Sequence, residues 1–108
     1  MAMDLNKLMK QAQEMQEQMA KAQEELRNET VEASAGGGMV TVKATGGLEI
    51  VEIKISPDAI DPDDPDLLAD MVLAAVNEAI RNAQDLAQSK LGGALGDLGG
   101  LGLPGLGG

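Results

Sequence analysis

The stretch GGGMVTVKATGG, residues 36–47, has two readings. Glycines that follow a strand and open a helix can cradle a phosphate, because the helix dipole and its free N–H groups meet the anion there, usually with Lys and Ser/Thr following. Glycines between two strands are a turn. Here the triplet leads into an alternating run, Met39 to Thr45, and no Gly-Lys-Ser/Thr follows. We read Gly36–Gly38 as a hairpin turn and Gly46–Gly47 as the turn at the other end of the same strand.

The alternation continues on both sides. Val31, Ala33 and Ala35 alternate with Thr30, Glu32 and Ser34, and Val40, Val42 and Ala44 alternate with Thr41, Lys43 and Thr45. A third run, LEIVEIKIS at residues 48–56, slips in phase: Leu48 and Ile50 fall on one face, Val51, Ile53 and Ile55 on the other. Either a bulge falls near Ile50–Val51 or both faces are partly covered. Residues 30–56 are therefore expected to form a three-stranded antiparallel meander.

Helical periodicity flanks the meander. Residues 4–29 hold strong helix formers with no Gly or Pro, and Asp4 is placed to cap them. Leu5, Leu8, Ala12, Met15, Met19, Ala22 and Leu26 recur at steps of three and four, a coiled-coil seam. Such a helix is roughly 39 Å long, more than a small domain can cover, so part of it should project or pack on another chain. Residues 57–64 are a proline-punctuated turn, in which Ser56-Pro57 is suited to cap a single turn. Asp64-Pro65-Asp66 then starts a helix over residues 65–91. Its stripe is Leu68, Val72, Ala75, Ala79, Ala83 and Leu86, and MVLAAV at 71–76 is apolar all round, as in a buried or interfacial helix. Residues 92–108, half glycine with interspersed leucine, read as a disordered tail. The fold class expected is α+β, in α-β-β-β-α order, as one domain over residues 1–91.

Composition narrows the chemistry. The 108 residues include no Cys, His, Phe, Tyr or Trp. That removes thiolate chemistry, the usual zinc ligands, the commonest general base, and aromatic platforms for single-stranded nucleic acid. A core of Leu, Ile, Val, Met and Ala alone is light, which favours a partner chain. The acidic run from Asp58 fails the calcium-loop pattern, with Asp63 where glycine is required and Ala69 where glutamate is required. No catalytic constellation is legible, and neither an enzyme nor a cofactor or small-molecule substrate is expected. No secretory signal and no membrane-spanning run stand out, so the expected location is the cytoplasm. Net charge is −10, unevenly placed. Residues 57–70 hold six acids and no base, whereas residues 1–29 hold four bases against six acids.

Three segments together resemble the YbaB/EbfC family of small bacterial nucleoid-associated proteins. They are LNKLMKQAQEMQEQMAKAQEEL at 5–26, VEASAGGGMVTVKATGGLEIVEIKIS at 31–56 and LLADMVLAAVNEAI at 67–80. The resemblance implies a homodimer in which the sheets join the subunits and the long helices project like tweezer arms. It also implies binding to double-stranded DNA, with roles in nucleoid organisation and gene regulation. On this view Lys7, Lys10, Lys21, Arg27, Arg81 and Lys90 are candidate phosphate contacts, and Gln11 and Gln13 candidate groove contacts. Few cations and a dimer charge of twice −10 imply modest binding with low sequence specificity. A second class remains open: a protein–protein adaptor gripping its partner with the helical arms. A nuclease-resistant protein partner and no DNA shift at low salt would mark the adaptor.

Overall fold

The structure is a computed structural model that describes residues 4–99. Its elements are α1 (Leu5–Asn28), β1 (Thr30–Ala35), β2 (Val40–Thr45), β3 (Ile50–Ile55), a 3-10 turn (Pro57–Ala59) and α2 (Pro65–Gly99). The strands form one antiparallel sheet in the order β1-β2-β3.

Local chemistry sets most of these boundaries. Asp4 caps α1 by accepting a hydrogen bond from the Lys7 amide at 3.3 Å, and Asp64 caps α2 by accepting from the Leu67 amide at 3.2 Å. Ser56 does the same for the 3-10 turn through the Asp58 amide. Gly36, Gly37 and Gly38 all have positive φ, so the triplet is the β1–β2 turn, and its conformation is one that glycine enters without a steric penalty. The β2–β3 turn closes on Thr45, whose Oγ1 accepts from the Gly47 and Glu49 amides. The phase slip in the third strand is a bulge. Lys43 pairs with Glu52 and Ala44 with Ile50, leaving Val51 as the extra residue.

The core is thin. Ala33, Val40, Val42 and Ala44 on one sheet face meet Ala75, Ala79 and Ala83 on α2. Alanines let the helix lie close over β1 and β2. Asn82 donates to the Glu32 carbonyl on β1, and Met71 lies against Gly36 in the β1–β2 turn. The opposite flank of α2 carries Leu73, Val76 and Ile80, of which Leu73 is exposed and the other two are half-buried. Residues 71–76, expected to be buried or interfacial, are buried in this chain only in part: Ala75 is buried, Met71, Val72 and Val76 are half-buried, and Leu73 is 60% exposed. Ile53 and Ile55 pair with Val42 and Val40 and so share the core face. They remain 45% and 39% exposed, because α2 does not reach across to them.

The far half of α2 leaves the sheet and runs antiparallel to α1. Lys90 meets Glu25 and Glu29, while Gly93 and Ala94 share a groove with Gln18 and Ala22. α2 continues past Leu91, where the glycines at 92 and 93 mark its end by propensity. Packing against α1 offsets the roughly 1 kcal/mol that each glycine costs a helix. The tail expected to be disordered spans residues 92–108; of these, residues 92–99 belong to α2 and residues 100–108 lie outside the described residues.

Candidate nucleic-acid interface

α1 is the element best placed to reach a partner. Its seam changes character along its length. Leu26 and Ala22, near the sheet, are 4% and 5% exposed, whereas Leu8 is 45% and Leu5 67% exposed. The helix is anchored by its last turns and projects with its first. The described body is long and narrow, with extents of 77 × 26 × 16 Å.

The eight cations fall into two groups. Lys43 lies between Glu32 at 3.8 Å and Glu52 at 3.7 Å on the polar sheet face, and Lys54 pairs with Glu52 at 3.2 Å. Arg81 is held by Glu78 on the same helix. Lys90 is held by Glu29 at 2.7 Å and Glu25 at 3.0 Å. The remaining four, Lys7, Lys10, Lys21 and Arg27, are exposed and make no ion pair with any described residue. All four lie on α1.

Two of the eight candidate contacts thus already serve carboxylates. Arg81 stands on α2, away from the arm, and Lys90 ties α1 to α2. Lys7 and Lys10 sit one turn apart at the arm's tip, where residues 5–13 carry no acid. Gln11 and Gln13 are exposed beside them. Lys21 lies about 21 Å further along the helix axis, on the same row as Lys7, and Arg27 stands near the arm's base beside Gly47. The result is a spaced line of positive charge along one rod rather than a pocket. Such an arrangement suits a repeating anionic backbone.

The Lys90 clasp is where charge and geometry combine most closely. The hydrogen bond and charge of Lys90 hold the Glu25 carboxyl below its usual 4.5. The hydrogen bonds that Lys90 donates to Glu29 and Glu25 hold its ammonium above its usual 10.5. Sequence reasoning missed this role because the partners are 61 residues apart. A base at half-buried helical spacing in a stretch that packs on a second helix was the only available signal.

No group of metal-ligating residues occurs among the described residues, and no described helix is long and apolar enough to cross a membrane.

A family model described as the YbaB/EbfC DNA-binding family matches residues 1–98. A nucleoid-associated protein of Ruminiclostridium cellulolyticum is 53% identical over 98 residues, covering 91% of this chain and 85% of its own. One from Acetivibrio thermocellus is 53% identical over 103 residues, covering 95% and 89%. Among solved structures, an uncharacterized Helicobacter pylori protein superposes with a TM-score of 0.75 at 20% identity, over 87% of this chain and 99% of that one. At that identity the likeness is one of fold.

Proposed function

The chain belongs to the YbaB/EbfC DNA-binding family, and on that premise we propose that it is a nucleoid-associated protein that binds double-stranded DNA as a homodimer. Its α1 arms meet the phosphates. The observation that carries this reading is the division of cations: the four without a carboxylate partner among the described residues all lie on the projecting helix. Lys7, Lys10, Lys21 and Arg27 are then the phosphate contacts, with Gln11 and Gln13 near the groove edge. Arg81 and Lys90 contribute less, since each would first have to leave a carboxylate. Contacts of this type position a protein without selecting bases, which fits low sequence specificity and a role in organising and regulating the nucleoid.

The dimer is supported by apolar surface that one chain leaves uncovered: Val51, Ile53 and Ile55 on β3 and Leu73 on α2 are all exposed, and Val76 and Ile80 on α2 are half-buried. A second copy covering this corner would bury the half of the sheet face that α2 leaves open and hold two arms on one body.

The test is binding to long duplex DNA across a salt series. Wild type should bind at low salt, with log affinity falling linearly against log salt. Lys7→Gln/Lys10→Gln should bind more weakly, its slope shallower by about 0.9 for each phosphate contact removed. No binding by wild type at any salt would overturn the function. Unchanged slope in the variant would overturn the residue assignment.

A further inference from the structure

The uncovered half of the α1 seam has an occupant written into the residues that flank it. Among described residues, Leu5, Leu8, Ala12 and Met15 continue a stripe that is buried at Ala22 and Leu26, where Ala22 shares a groove with Gly93 and Ala94 of α2 and Leu26 lies against Gly46. Leu5, Leu8 and Met15 remain 67%, 45% and 41% exposed. The stripe is therefore used as a helix-packing seam along its base and left bare along its tip.

The positions on either side of a heptad seam select its partner, because charges there face the neighbouring helix. Over the bare half these positions are Met9 and Gln16 on one side and Gln11 and Gln18 on the other. None is charged. The charges of this segment, Lys7, Lys10, Glu14 and Glu17, stand on the outer face. A neutral flank offers nothing to attract a charged partner helix. It also gives no like-charge repulsion against an identical one.

We propose that the bare half of α1 pairs with the same half of α1 from a second copy, antiparallel. Antiparallel alignment sets Leu5 against Met15 and Leu8 against Ala12, so that large residues meet smaller or more pliable ones. It is also the sense in which two arms projecting from separate bodies overlap tip to base. The tip of the second arm continues the path that α2 follows along the seam. Lys7, Lys10 and Gln13 remain on the outer face of the pair, open to an anionic partner, whereas Gln11 at the seam edge is taken up by the pair and is then no groove contact. This interface involves neither the α2–β3 corner nor DNA, and its test needs neither.

The chain has no cysteine, so introduced thiols are unique reporters, and the substituted positions are exposed, so folding is not at stake. Full-length Leu8→Cys and Ala12→Cys are oxidised separately and as an equimolar mixture, then resolved by mass under non-reducing conditions. The mixture should form the mixed disulfide several-fold faster than either protein forms its own. Adding Leu5→Glu and Met15→Glu to both should remove that excess. Faster coupling in Leu8→Cys alone, equal rates in all three samples, no coupling, or an excess that survives the Glu substitutions would each overturn the proposal.

Discussion

Two positions in the β2–β3 connection show how closely single residues are held. A Cβ on Gly46 would lie 2.6 Å from Leu26 Cδ2 and 2.8 Å from the Leu26 carbonyl oxygen. The base of α1 therefore packs directly on this backbone, and the carbonyl has no freedom to turn aside. Gly46→Ala should destabilise the fold by about 1–3 kcal/mol, the usual range for forced overpacking, read as a lowered midpoint in urea. Leu48 is the opposite case. It is a leucine at φ 66°, a conformation that costs a side chain about 1–2 kcal/mol, and its side chain is half exposed. Leu48→Asn should raise the urea midpoint, since asparagine tolerates this region better. The first position was legible as a turn glycine, but its steric reason was not. Contact with Leu26 arises only once α1 has folded back on the sheet.

At the level of elements, caps and periodicities were readable because they are local. Asp4, Asp64 and Ser56 each bond an amide two or three residues on, and the bulge at Val51 was visible as a phase slip. The length of α2 was not readable, because the turn that carries it past Leu91 shares a groove with α1 at Gly93 and Ala94, a contact that its own composition does not announce. The Lys90 clasp likewise joins two distant segments, so a base that read as free turned out to be engaged. Its pH response follows from the two shifts. Glu25, with a lowered pKa, contributes stability that is present above its unfolded value and lost as pH falls through the folded one. Lys90, with a raised pKa, contributes stability that is present below its unfolded value and lost as pH rises through the folded one. Lys90→Gln should therefore lower Tm at neutral pH. The difference from wild type should vanish toward both extremes, in acid below Glu25's usual 4.5 and in base above Lys90's usual 10.5. If Lys90 serves the clasp and not the phosphates, the variant also keeps the wild-type salt slope for DNA.

For the whole molecule, the governing fact is how little of the apolar surface one chain covers. Seven small or medium side chains make the main buried cluster, while Ile53, Ile55 and Leu73 stay open. If the proposed corner joins the subunits, Ile53→Glu/Leu73→Glu should lower the mass measured by light scattering by the contribution of that contact and lower thermal stability, with α1 still helical by circular dichroism. A variant of unchanged mass would place that subunit contact elsewhere. The lightness of the core was evident from composition, and it pointed to a partner chain. Which face lies open was not evident, because it depends on where α2 comes to rest across the sheet.

The elongated outline has a hydrodynamic consequence. The radius of gyration is 20.6 Å, against about 13 Å for a compact domain of this length. A rod-like particle sweeps out a large volume as it tumbles end over end. Even a single chain should leave a sizing column early, at a position that a globular calibrant of considerably greater mass would occupy. Its rotational correlation time should be correspondingly long and anisotropic. Amide vectors along the arm, nearly parallel to the long axis, should relax differently from those of the sheet.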